Sequence, residues 1–237
     1  PQMMDVHGYT GSPTGVTIPQ TVTVGKYTLT VNAIDSGAFK GCTSLRSITI
    51  NAPASSYFSL GTEAFSGCVN LQSVNISDNS ISRIPQSTFY GCTSLRSFRV
   101  PAGVTAIDNF AFQGSGLTSI EISEGVTSIG NYAFSDCPSL TELTLPKSVT
   151  SLGTLGQRNA TTQYVSYIRS VTLLSTDLSS FDYGNYQPLN TVFLVQPSAT
   201  GYEKLAEEYI VRTTTQGMPN ISITASPSSI DFGTISQ

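Results

Sequence analysis

Tryptophan is absent from the 237 residues, histidine occurs once, and charge is sparse. A single imidazole, His7, excludes any site that needs two. Lys and Arg number 11 against 15 Asp and Glu, a net charge of −4, with the basic residues scattered. That pattern offers no electrostatic footprint for nucleic acid or an anionic membrane surface. No apolar run approaches the ~18 residues that span a bilayer. The hydrophobic share of 39% argues against disorder. What abounds is hydroxyl: 34 Ser and 30 Thr exceed all 26 charged residues together. The length suits one large domain or one and a half average ones. The chain opens at Pro1 with no signal peptide, which leaves location open because such segments are cleaved. Residues 230–235 read as a strand just starting, so a fragment of a longer protein is expected.

Internal repetition organises everything else. Residues 38–50 return as 64–76, 88–100, 111–122 and 133–145, and Phe39, Phe65, Phe89, Phe112 and Phe134 step by 26, 24, 23 and 22. Residues 168–173 and 189–194 are degenerate copies, which makes seven units. Each unit ends in the frame Leu-x-x-Ile-x-Ile, whose final apolar pair has period two and reads as a short strand buried on one face. A unit of this size cannot bury that face alone. Stacked copies join their strands into one parallel sheet over a continuous core, and the rest of each unit supplies the crossover. The repeated Ala-Phe sits in the crossover, with Phe filling the core and Ala letting adjacent turns approach.

The return paths at residues 103–107, 125–129 and 148–152 carry an apolar pair three apart with β-branched Thr between, so they predict short extended or 3₁₀ segments. Pro101 and Pro146 end the strands before them. Residues 22–31 alternate on both sides of Gly25-Lys26 and predict a hairpin. Residues 201–209 predict a helix, with Tyr202, Leu205, Ala206 and Tyr209 on one face. The expected organisation is an N-terminal cap over 1–33, seven repeats over 34–195, a helical cap over 196–218, and a linker or first strand of a β-sandwich over 219–237.

The frame Ile-Gly-x-x-Ala-Phe-x-x-Cys-x-x-Leu-x-x-Leu-x-Leu-Pro, best seen from Ile129 to Pro146, resembles the BspA-type leucine-rich repeat of bacterial surface proteins. Residues 16–22 resemble the usual entry into such arrays, especially in Bacteroides-like proteins, and the resemblance runs over roughly residues 16–210. It departs at Gly114-Ser115-Gly116, which lacks the Cys, and in the last two units, which lack both Ala-Phe and Cys. It implies a repeat solenoid, a right-handed leucine-rich repeat superhelix, mainly β, with the parallel sheet on its concave face. It also implies a location outside the cell or on its outer surface, with a lipid anchor preceding the chain as one route. Family members have been linked to adhesion, to matrix proteins and to other cells.

Catalytic chemistry is sought and not found. Cys42, Cys68, Cys92 and Cys137 occupy one slot in successive turns and are expected as a buried column of free thiols. A Cys42–Cys68 or Cys68–Cys92 bridge stays open on distance. Their spacing does not fit zinc. His7 reads as a tail residue. Gly-x-Ser-x-Gly, P-loop and Rossmann patterns are missing, and Asp177, Asp182 and Asp231 are too scattered for a calcium loop. Neither catalytic residues, metal nor cofactor is expected.

Candidate binding residues come from two places. The outward columns of the strand frame are Ser47, Ser73, Ser97, Ser119, Glu142, Ser170 and Thr191, then Thr49, Asn75, Arg99, Glu121, Thr144, Thr172 and Phe193. Arg99 and Glu121 are placed to pair across the ladder. The second source is aromatic: Tyr57 in a long turn, Tyr164 at the end of an insert, and Tyr183 and Tyr186 after it. Such residues suit protein interfaces and sugar stacking. The leading expectation is a non-catalytic recognition module for a host or bacterial surface or matrix protein. Alternatives are a glycan-binding component and a rigid spacer for a following β-sandwich.

Overall fold

The computed structural model describes residues 3–52, 58–156, 164–184, 191–214, 223–226 and 229–232. It opens with β1 (Met3–Val6), β2 (Gly15–Ile18), β3 (Thr21–Val24) and β4 (Tyr27–Ile34). Then come two strands per turn: β5 (Ser47–Ile50) with β6 (Ser59–Leu60), β7 (Ser73–Ile76) with β8 (Arg83–Ile84), and β9 (Ser97–Arg99) with β10 (Ala106–Ile107). β11 (Ser119–Glu121) with β12 (Ser128–Ile129) and β13 (Glu142–Leu145) with β14 (Ser151–Leu152) continue the pattern. β15 (Ser170–Leu173), β16 (Val192–Val195), α1 (Glu203–Glu208), β17 (Ile210–Thr213), β18 (Ile223–Ser226) and β19 (Ser229–Phe232) complete the order.

The chain is a parallel β-solenoid. Its main strands ladder in parallel as β2-β5-β7, β9-β11 and β13-β15-β16-β17. The return paths are extended, and β8-β10-β12-β14 form a second parallel ladder. Among the described strands, antiparallel pairing occurs only in the hairpins β3-β4, turning at Gly25-Lys26 as expected, and β18-β19.

Packing follows from the repeat. The rings of Phe39, Phe65, Phe89, Phe112 and Phe134 stack with centroids 5.2–5.8 Å apart and planes within 19°. All five are buried, each contributing about 1.5–3 kcal/mol. Backbone bonds tie the Phe turns together. The Phe39, Phe65, Phe89 and Phe112 amides donate to the carbonyls of Ala64, Thr88, Ala111 and Ala133 at 2.8–3.0 Å. These bonds satisfy polar groups that would otherwise be buried unpaired. Tyr9 extends the stack from the N-terminal side, 5.9 Å from Phe39.

The cysteine slot behaves as the repeat requires. All four thiols are free and buried. Cys68, Cys92 and Cys137 donate from Sγ to the carbonyls of Phe39, Phe65 and Phe112 at 3.0, 3.3 and 3.1 Å. Burial pushes the Cys68 and Cys137 thiols up to about 12 and about 11, and raises Cys92 as well. Ser115 fills the slot in the unit without Cys, with its Oγ 3.3 Å from Cys137 Sγ. The turn after it is one residue shorter, and the chain crosses the preceding turn closely. A Cβ on Gly116 would lie 2.1 Å from the Thr93 carbonyl oxygen, so only glycine fits.

Three expectations are corrected. The seventh unit pairs one residue out of its apparent frame, Ser170 with Val192 and Val171 with Phe193. Thr191 and Phe193 are therefore buried at 0% exposure, and Val192 and Leu194 take the outward positions. A one-residue slip exchanges the faces, and the aromatic ring is worth more inside. At the N-terminus, β1 pairs in parallel with β4, and the His7 ring hydrogen-bonds the Asp35 carboxylate, so His7 is anchored and not a tail. At the C-terminal end, α1 forms where expected, burying Leu205 and Ala206, but β17 follows it and adds a further parallel strand.

Candidate functional site

The outward face of the main strands presents Ser73, Ser97 and Ser119 exposed in one column and Asn75, Arg99, Glu121 and Thr144 in the next, with Glu142 beside them. From β7 to β13 it is neutral apart from three charges, Arg99, Glu121 and Glu142. Arg99 lies opposite Glu121 in register, yet its guanidinium turns to Asp78, with Nη2 2.8 and 3.0 Å from the two carboxylate oxygens. Asp78 also accepts the Ala102 amide at 2.8 Å. Those backbone and guanidinium bonds hold its carboxyl below the usual range. The expected Arg99–Glu121 pair gives way because a bidentate partner that is already anchored wins over a flexible one.

Two of the aromatic candidates are not surface groups. Phe193 is enclosed against Tyr209, 5.6 Å away. Tyr183 is buried edge-on to Tyr209 and donates its hydroxyl to the Lys204 carbonyl at 3.3 Å. Burial and the nearby Glu208 push its hydroxyl up to about 12. Both close the end of the core under α1. Tyr57 and Tyr186 lie outside the described residues.

Tyr164 does take part in a surface cluster, one that the sequence did not reveal as a unit. The residue before the repeated Ala or Thr has positive φ in the first five turns: Gly37, Glu63, Ser87, Phe110 and Tyr132, at 55–68°. Glycine is the usual occupant of this backbone region, and a bulky side chain there is strained by ~1–3 kcal/mol. Two successive turns nonetheless carry aromatic rings at it. Phe110 and Tyr132 stack at 5.4 Å, and Tyr164 leans on both, 5.6 and 4.6 Å away.

Asp136 fixes this corner. It has φ 56° in a slot where the preceding turns have Gly41, Gly67, Gly91 and Gly114. Its Oδ1 accepts the Val165 amide at 3.0 Å, and its own amide donates to the Val165 carbonyl at 2.6 Å. Its Oδ2 accepts Gln113 Nε2 at 2.9 Å. The carboxylate thus tethers the segment that carries Tyr164. Ser87, Tyr90, Phe110, Gln113, Asp136 and Tyr164 surround a depression of about 340 Å³. A wider groove of about 650 Å³ runs over the second ladder, with Asn109, Asn131 and Asp182 in its wall. Asn109 Oδ1 accepts the Asn131 amide at 2.7 Å, and Asn131 Oδ1 accepts the Thr154 amide at 2.8 Å. The missed signal was positional: Phe110 and Tyr132 occupy one column, 22 residues apart, each just ahead of Ala.

Among the described residues no group of three His, Cys, Asp or Glu side chains is placed to hold a metal ion, and no helix is long and apolar enough to cross a membrane. The arrangement offers polar strands, an aromatic corner and fixed amides, which are binding chemistry.

Comparison with known proteins bears on the repeat directly. The family model for the BspA type leucine-rich repeat region matches in six copies over residues 21–116 and 59–183. No curated protein matches the chain. A leucine-rich repeat protein of Bacteroides ovatus, known as a crystal structure, is 27% identical with a TM-score of 0.60 over 84% of this chain. The chain spans 56% of that protein's length. A leucine-rich repeat protein of Bacteroides capillosus is 26% identical, with a TM-score of 0.43, over 51% of this chain and 87% of its own. A leucine-rich cell surface protein of Faecalibacterium prausnitzii is 22% identical, with a TM-score of 0.39, over 84% of this chain and 71% of its own. With the repeat model covering most of its turns, the chain belongs to the BspA-type leucine-rich repeat family.

Proposed function

We propose that the array is a non-catalytic recognition module, carried on the outside of a bacterial cell, that holds a partner protein against the outward face of its main strands. One observation carries this reading: parallel strands present Ser47 and Ser73 in register on β5 and β7, and exposed Ser97 and Ser119 in register on β9 and β11, with Asn75, Arg99, Glu121 and Thr144 alongside. Such a face is rigid, costs little side-chain entropy to engage, and supplies hydroxyl donors and acceptors at the ~4.8 Å strand spacing. Family membership supports the surface location, since repeats of this type are typical of bacterial surface proteins. Arg99, Glu121 and Glu142 are the charged positions that would set partner choice. The partner is a host matrix protein or an outer protein of another bacterium.

The test is binding of purified chain to panels of immobilised host matrix proteins and bacterial outer proteins, repeated with the double variant Ser97→Arg/Ser119→Arg. The bulky charges leave the core untouched and should weaken a captured partner by about tenfold or more. Capture that is indifferent to both substitutions would place the interface elsewhere.

A further inference from the structure

We propose that the aromatic corner around Tyr90 and Gln113 is a saccharide site, in which one neutral pyranose ring stacks on Tyr90 and is hydrogen-bonded by Gln113 and its neighbours. The proposal concerns a different part of the surface from the strand face and does not depend on it.

Three observations meet there. The first is positional: Phe110 and Tyr132 place aromatic side chains at φ 60° and 59° in a corner slot that Gly37, Glu63 and Ser87 occupy in the first three turns. Of these five turns only two carry rings in the slot, and Tyr164 packs against both, so the aromatic surface is confined to this corner. The second is polar. Gln113 is only 7% exposed, its Nε2 is committed to Asp136, and its Oε1 has no hydrogen-bond partner among the described residues. That side chain lines the depression, and its bond to Asp136 holds the amide in orientation, so Oε1 is left at the surface of the depression for a ligand hydroxyl. The third is a platform: Tyr90 lines the same depression and is 45% exposed, while its counterparts one turn to either side, Ser66 and Gln113, are buried.

The chemistry of the walls selects the occupant. Phe110, Tyr132 and Tyr164 lean on one another, so they make a solid wall, not an open cage around a cation. Asp136 already accepts two donors, which moderates its pull on a cation. Neither the depression nor the neighbouring groove is lined by Lys or Arg, which disfavours an acidic sugar. One ring face with amide, carboxylate and hydroxyl acceptors and no cation fits a neutral pyranose with equatorial hydroxyls. Ser87 and Phe110 line the depression while Gln86 and Asn109, immediately before them, line the groove, so the two are one residue apart along the same turns. Further sugar units would continue past Asn109 and Asn131, which makes a neutral oligosaccharide the better ligand than a monosaccharide.

The experiment is saturation-transfer NMR on the whole chain with methyl glycosides of glucose, galactose, mannose and N-acetylglucosamine, their neutral oligosaccharides, sialyllactose, and Nα-acetyl-arginine amide. Transfer to at least one neutral sugar is expected, strengthening with the oligosaccharide. Tyr90→Ala and Gln113→Ala should each weaken it by about tenfold. Tyr90 is a surface side chain, so its variant should keep the parent's circular dichroism and unfolding midpoint. Ser97→Arg/Ser119→Arg should leave sugar binding intact, which separates this site from the strand face. No neutral sugar bound at about 10 mM, binding unchanged in Tyr90→Ala, or binding of only the arginine derivative or the acidic sugar would each overturn the proposal.

Discussion

At the scale of single residues, position in the register decides what a side chain does. Phe89 lies between Phe65 and Phe112, and Phe98 meets it at 5.2 Å. Removing its ring leaves a cavity that flanking turns cannot close without breaking their backbone bonds. Phe89→Ala is expected to lower stability by about 3–5 kcal/mol in urea unfolding. His7 acts at the surface. Its hydrogen bond and charge interaction with Asp35 raise its pKa above the ordinary 6.5. A raised folded value means that the contact's stabilisation is complete below the unfolded pKa and disappears as pH rises through the folded one. The urea midpoint should therefore fall from about pH 5 to about pH 9 by more in the parent chain than in His7→Gln. The difference should be small, and smaller in high salt, because the pair is solvent-exposed. Equal slopes in the two proteins would mean that the anchor contributes nothing.

At the scale of elements, each turn is a short strand, a tight corner, a second short strand and a Phe turn, and deviations concentrate at the corners. Gly116 marks the shortened turn. Gly116→Ala would drive a methyl group into the Thr93 carbonyl, and the backbone on both sides is already hydrogen-bonded. A loss of about 1–3 kcal/mol is expected from the thermal midpoint, compared with near-neutral Gly8→Ala, where φ is not positive and the nearest atom, the Ala38 carbonyl oxygen, would lie at an ordinary 3.5 Å. The strand register also belongs to this scale. The first five units alternate apolar and polar residues, so their inward faces were legible from sequence. In the seventh, residues 192–195 are apolar throughout. Without alternation, either face can point inward, and only pairing with β15 selects one. The aromatic corner escaped for a related reason. Phe110 and Tyr132 meet because turns stack, and Tyr164 joins them because Asp136 holds the backbone at Val165, a contact across 29 positions.

For the whole molecule, the neighbour-to-neighbour contacts of a solenoid make its ends the weak points. Phe193 and Val195 are shielded on the C-terminal side by α1 and β17. Deleting residues 203–214 with everything after them should expose that end of the core. Hydrogen exchange should then quicken first in β16 and β15, while the amides of β5, β7 and β9 keep their protection. Uniform acceleration along the array would instead show that it unfolds as one cooperative block. The β18-β19 hairpin lies beyond this cap, with backbone adjoining β17 and α1. The division of the chain into cap, repeats, helical cap and a distinct final segment remains a proposal that such exchange boundaries would test.

The repeat alone determined that this chain stacks into a solenoid, which Phe and Cys positions line its interior, and that its strand face is hydroxyl-rich. Those properties follow from periodicity, and periodicity is a local pattern that each unit restates. Tertiary structure decided which carboxylate Arg99 grips, which way Phe193 faces, and that three rings and a tethered amide form one corner. These depend on contacts between residues more than twenty positions apart, whose outcome is fixed by competition among partners brought together only when the turns stack.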